Sequence, residues 1–132
     1  MTMPAERADW QVADPFDLPE WLGEHDLTWT ADSSIGGPSA SGALRGRDGS
    51  CLPLAVLGAD EAFPVPTVAE AVRTQVHQAW RYGQVALLAA GSSYAVAVPA
   101  ITVDVGLVCE ALRRFAKAIG IDPDRIRVLV KL

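Results

Sequence analysis

Tyr82 to Val103, YGQVALLAAGSSYAVAVPAITV, runs from Arg81 to Asp104 without one charged side chain. Such a run must be shielded from water by lipid, by the chain's own helices or by another subunit. About 20 predominantly apolar residues suffice for a helix to cross a bilayer. The content argues against a span. Gly91-Ser92-Ser93 is turn chemistry in the middle and Pro99 follows. The two halves use Ala and Val where a span usually carries Leu, Ile and Phe. Two short strands around a tight turn fit better, so no membrane association is expected. In Gln84 to Ala90, alternation puts Val85, Leu87 and Ala89 on one face and Ala86, Leu88 and Ala90 on the other. Both faces are apolar, which reads as a central strand. In Tyr94 to Val98, Tyr94, Val96 and Val98 make a large face opposite Ala95 and Ala97.

Helices are expected on either side of this hairpin. Thr67-Val68-Ala69-Glu70 has the form of a capping box, with the threonine oxygen taking the Glu70 amide and the carboxylate reaching back. Val68, Val72, Val76, Ala79 and Trp80 then form a buried stripe that ends at Gly83. Asp104 is the expected N-cap of a second helix to Ile119, with a stripe of Val105, Val108, Cys109, Leu112, Phe115, Ala116 and Ile119 and a C-cap at Gly120. A last strand, Ile126 to Leu132, places Ile126, Val128, Val130 and Leu132 inward and Arg127 and Lys131 outward.

Toward the N-terminus, Cys51 to Gly58 is a strand apolar on both faces. Pro53 cannot donate a ladder hydrogen bond, so pairing should begin near Leu54 or the strand should be an edge there. Asp48-Gly49 before it reads as a two-residue hairpin turn from a short strand at Ala43 to Arg47. Ser33 to Gly42 is small, polar and glycine-rich, a flexible loop without a phosphate-binding ending. Asp26 to Thr30 alternates as a half-buried strand with Trp29 on its apolar face. Residues 1–24 read as a partly ordered arm. Trp10, Phe16, Leu18, Trp21 and Leu22 stand among acidic residues, and Asp14-Pro15 and Leu18-Pro19 break any long helix. The arm is expected either to dock on its own domain or to meet a partner.

Residues 25–132 are therefore expected to form one α+β domain. From Cys51 the order is strand, helix, strand, strand, helix, strand. That βαββαβ order over residues 51–132 resembles the ferredoxin-like arrangement. The resemblance implies a two-layer sandwich with an antiparallel sheet and two helices on one face, extended by the strands at 26–30 and 43–47. A meander of the first three strands is the alternative. With both helices on one face, the second face of Gln84 to Ala90 needs cover from the arm or from a second subunit.

A chain of 132 residues fits one domain able to bury a core, and its net charge of −5 disfavours attraction to nucleic acid over the whole surface. A local basic face stays open. Eight acidic residues between Glu6 and Asp32 face Arg7 alone, whereas Arg113, Arg114, Lys117, Arg125, Arg127 and Lys131 crowd the C-terminal end. No secretory signal is visible at the start, so a cytoplasmic setting is expected, with Cys51 and Cys109 reduced and buried. No catalytic, cofactor-binding or metal-ligating constellation is expected. His77 has no second ligand at helical spacing, and neighbours in His25-Asp26 and Asp60-Glu61 diverge in extended chain. The expected function is a non-catalytic protein-interaction or assembly domain, with a protein partner or a homodimer and no nucleic acid. It would associate through the sheet face and the acidic aromatic arm, using Trp10, Phe16, Trp21, Leu22, Trp29 and Tyr94. A small-molecule-binding regulatory domain is the alternative, with the Gly58 to Pro66 loop as its site, and a small enzyme is the least favoured.

Overall fold

The computed structural model describes residues 10–60 and 68–132. Among the described residues there are eight strands: β1 Gln11–Val12, β2 Leu27–Ala31, β3 Ser39–Ala40, β4 Gly42–Gly46, β5 Cys51–Gly58, β6 Ala86–Ala90, β7 Ser93–Val98 and β8 Ile126–Leu129. Helix α1 is Glu70–Arg81 and helix α2 is Val105–Ala118. All eight strands join one mixed sheet in the order β1-β6-β7-β5-β4-β2-β8, with β3 paired to β5 beside that path.

The ferredoxin-like expectation fails on strand direction, strand order and helix placement. β5 and β7 pair in parallel, Leu54 against Tyr94 through Gly58 against Val98, and β8 pairs in parallel with β2. In the expected sandwich, β8 would take the outer edge of β5. β4 already holds that edge, because the loop from β4 to β5 is short enough to close a hairpin and pairs Arg45 with Cys51 and Ala43 with Pro53. Local pairing needs little loop closure, so the hairpin takes the edge and β8 goes to the free side of β2.

The helices do not share a face. On β5, β6 and β7, Leu54, Val56, Leu87, Val96 and Val98 pack with Val108, Ala111, Leu112, Phe115 and Ala116 of α2. Their alternates Leu57, Ala86, Leu88, Ala95 and Ala97 pack with Val76 of α1, with Val68 and with Trp10. Neighbours along a strand point to opposite faces, so this half of the sheet lies between the two helices. The two-sided apolarity of β6 thus reflects a helix on each side. It is not central in the sheet, since among the described residues its outer neighbour is only the two residues of β1. In the other half, Leu27, Trp29, Leu44 and Leu52 join the α2 core, and the opposite face of β4, β2 and β8 carries Thr28, Thr30, Arg45 and Arg127.

Several local expectations also change. Four residues, Arg47, Asp48, Gly49 and Ser50, separate β4 from β5. The Gly46 amide donates to the Ser50 carbonyl and Gly49 lies at φ 92°, the form of a turn followed by a glycine bulge. α1 starts at Glu70 with Ala69 at its N-cap and no side-chain cap, while Thr67 lies outside the described residues. Cys51 and Cys109 are both exposed, and so is Leu132. Cys51 and Cys109 sit at the solvent-side positions of β5 and α2, a phase that apolar neighbours concealed. The 33–42 segment, read as a flexible loop, is pinned by β3 and by its Pro38 and Gly37 carbonyls, which accept from the Gly58 and Val103 amides. α2 begins as expected, its Asp104 carboxylate accepting from the Leu107 amide at 2.7 Å. Its Leu112 and Phe115 are buried to 0% and 1% exposure, each contributing about 1.5–3 kcal/mol by removal from water.

Candidate functional site

The six residues named for interaction do not converge on one surface. Trp29 is buried completely, and its indole N–H donates to the Leu54 carbonyl at 2.7 Å. Leu22 and Trp10 are buried, Leu22 in the α2 core and Trp10 in the α1 core. Trp21 and Tyr94 are half-buried against the α2 core. Phe16 alone stands out, at 94% exposure.

The chain places Phe16 at the tip of a short built turn. Residues 10–13 carry β1 along the edge of β6, and the Ala13 amide donates to the Leu87 carbonyl. Asp14 caps a 3-10 turn over Pro15–Asp17, its carboxylate accepting from the Phe16 amide at 3.0 Å. Pro15 at the first helical position has no amide to leave unpaired. The buried Leu18 and a second 3-10 turn, Glu20–Gly23, anchor the far side. Asp14, Asp17, Glu20 and Glu24 are exposed around it. The phenyl ring is thus held out in an acidic setting by backbone that packs on both sides.

Beside this turn lies a cavity of about 580 Å³, bounded by Val12, Pro15, Val85, Leu87, Arg114 and Lys117 among others. Arg114 is fixed there. Its guanidinium carbon lies 3.6 Å from the centre of the Trp80 ring, and it donates to the Trp80 and Gln84 carbonyls at 2.9 and 3.1 Å. It also donates to Glu110 at 2.7 Å. That bond, aided by Arg113, holds the Glu110 carboxyl below its ordinary pKa. These contacts tie α2 to the end of α1 around the edge of the sheet.

Two histidines meet carboxylates. His77 Nε2 lies 2.6 Å from Asp60 Oδ1, and His25 Nε2 lies 3.6 Å from Asp48 Oδ2. The first pair fixes the orientation of an exposed ring. Its only hydrogen-bond partner among the described residues is Asp60, and none of them positions a nucleophile against it. Glu61 and most of the Gly58 to Pro66 loop lie outside the described residues. Among the described residues no group of three or more His, Cys, Asp or Glu side chains could hold a metal ion. None of their helices is long and apolar enough to cross a membrane.

The unequal ends of the chain do touch. Asp26 accepts from Arg125 at 2.9 Å and from Arg47 at 3.4 Å. The Arg125 hydrogen bond, with the charges of Arg125, Arg47 and Arg127, keeps the Asp26 carboxyl below its usual range. Sequence reasoning recognised the outward direction of Arg127 but not this clustering. Only the β4-β2-β8 register brings Arg45, Arg47, Arg125 and Arg127 together, and register between distant strands has no local signal. Comparison with family models, with curated proteins and with solved structures finds no match for this chain.

Proposed function

We propose that this chain is a cytoplasmic, non-catalytic protein-interaction or assembly domain, and that its contact element is the acidic turn of the N-terminal arm. The observation that carries the reading is Phe16 at 94% exposure on a turn whose neighbours Leu18 and Leu22 are buried. A large apolar side chain held out by ordered backbone loses little freedom when it enters a pocket, which is what makes an aromatic anchor effective. The sheet face has less to recommend it as the contact, because α1, Val68 and Trp10 already cover the apolar second face of β6. The partner is a protein with an apolar pocket and basic surroundings, or a second copy of this chain.

Sedimentation velocity on wild type and Phe16→Ala across a wide concentration range tests the reading. Self-association in wild type that weakens at least tenfold in the variant supports a homodimer. If both are monomers, the two proteins immobilised side by side should differ in the protein they retain. Identical behaviour in both experiments removes the proposal. A small-molecule-binding regulatory domain is the second reading, favoured by the roughly 580 Å³ cavity beside Arg114, a volume within the ordinary range for ligand sites. A thermal-shift panel of small anionic metabolites discriminates, since a ligand of that cavity raises the melting temperature whether or not Phe16 is present.

A further inference from the structure

The open face of β4, β2 and β8 repeats one arrangement twice, with a difference at its centre. Along β2, Leu27, Trp29 and Ala31 are buried, so Asp26, Thr28 and Thr30 form the outward row. The register sets Thr28 opposite Arg45 on one side and opposite Arg127 on the other. One step along the strands, Leu27 sits between Gly46 and Ile126 at the end of both ladders, and just beyond it Asp26 meets Arg47 and Arg125 through its side chain. There the pattern is complete, since both arginines bond to the Asp26 carboxylate. The row above has the same two flanking arginines and a threonine in place of the carboxylate. Neither Arg45 nor Arg127 comes within ion-pair distance of a described carboxylate, although the Arg127 charge is felt at Asp26. The two arginines lie on either side of β2, so their like charges face the same space over Thr28, where an anion would be attracted to both.

We propose that Arg45, Thr28 and Arg127 bind a small oxyanion, a phosphate group either free or carried as a phosphate monoester, in the place that Asp26 fills in the neighbouring row. The side chains lie in a cavity of about 410 Å³. Strands are about 4.8 Å apart, so the two arginine backbones stand about 10 Å from each other across Thr28, and both long side chains reach the space above it. Threonine is shorter than an ionised carboxylate and leaves that space open. Its hydroxyl adds a donor to two planar guanidinium forks, which gives donors from three directions. A tetrahedral phosphate with close to two negative charges matches such a set in geometry and in charge better than a single carboxylate does. Arg47 and Arg125 are held back by Asp26. Asp26 and Asp124 also line the cavity and carry the opposing charge, which favours a compact ligand seated over Thr28. The site is independent of Phe16 and of the arm's turn.

The test is an amide NMR titration of the full chain with inorganic phosphate, with sodium chloride holding ionic strength constant. Saturable shifts are expected at Thr28, Arg45 and Arg127, and the R45A/R127A double variant should lose at least tenfold in affinity. Thr28→Asp supplies the missing carboxylate from within. It should raise the melting temperature and abolish the phosphate response, and because it alters an exposed face it should leave the fold intact. A parallel titration with glycerol 3-phosphate separates an ester-borne phosphate, which binds more tightly than the free ion, from inorganic phosphate alone. A shift that chloride reproduces overturns the proposal. So does a response that survives in R45A/R127A or in Thr28→Asp, or one that only a polyanion such as heparin evokes.

Discussion

Single residues in this chain are held by partners that sequence spacing does not disclose. Trp29 packs its ring over Gly42, where an added Cβ would overlap the ring atoms and lie 2.8 Å from the Thr30 carbonyl oxygen. The glycine of a segment that reads as loose loop is there because an indole needs its volume. Asp26 is the residue at which charge and fold are coupled. Its pKa is lowered from 3.8 by the Arg125 hydrogen bond first and by nearby arginine charges after it. A carboxyl whose folded pKa lies below its unfolded value contributes stability that is complete above the unfolded value. That stability is lost as pH falls through the folded pKa. Asp26→Asn should therefore lower the urea midpoint near neutral pH by a small amount, because the group is exposed. The gap from wild type should close as pH drops below about 3.8. Urea titrations of both proteins between pH 2 and 7 check the sign. A gap that widens on acidification contradicts the role given to Arg125.

At the scale of elements, periodicity found nearly everything that depends on neighbours in sequence. Cys51–Gly58 stands where its run apolar on both faces placed it, and the strands around Gly91, the strand at Leu27–Ala31 and the helix capped by Asp104 lie within a few residues of expectation. Capping chemistry and alternation act over a few residues, so the chain carries their signals openly. The arm was harder, because isolated aromatics announce burial without saying against what. Its Leu22 proves to be an anchor at 2% exposure, six residues from Phe16 at 94%. Replacing Leu22 with Ala removes a packed side chain from the α2 core and should cost about 2–5 kcal/mol. Phe16→Ala should change stability by less than about 0.5 kcal/mol. Denaturant unfolding of the two variants reads this contrast directly. Equal losses would mean that Phe16 is packed in solution, which would also remove the basis for its role as a contact.

For the whole molecule, strand direction and strand order were the parts that sequence left illegible. Two helices and a two-sided strand suit either a shared helix layer with an open face or a sheet between helices, and both bury the same residues. The arginine rows on β4 and β8 were hidden for the same reason, since Arg45 and Arg127 are 82 positions apart and meet only across β2. The topology in turn predicts how stability is distributed. β5 and β7 are each paired on both sides and packed on both faces. Among the described residues β8 pairs with the sheet only through four residues of β2, and β1 through two residues of β6 with one further bond from the Ala13 amide to the Leu87 carbonyl. Closing β8 onto β2 also spans about a hundred residues of chain, with an entropic cost that local hairpins avoid. Amides of Val56, Leu57, Val96 and Ala97 should accordingly exchange with solvent only through global unfolding, with rates that follow the denaturant dependence of overall stability. Amides of β8 should exchange by local opening, at least a hundredfold faster and with little dependence on denaturant. Native-state hydrogen exchange resolves the two classes. If β8 were as protected as β5, the parallel edge would be part of the cooperative core, and the β4-β2-β8 face with its arginine rows would be a rigid platform instead of the sheet's loosest border.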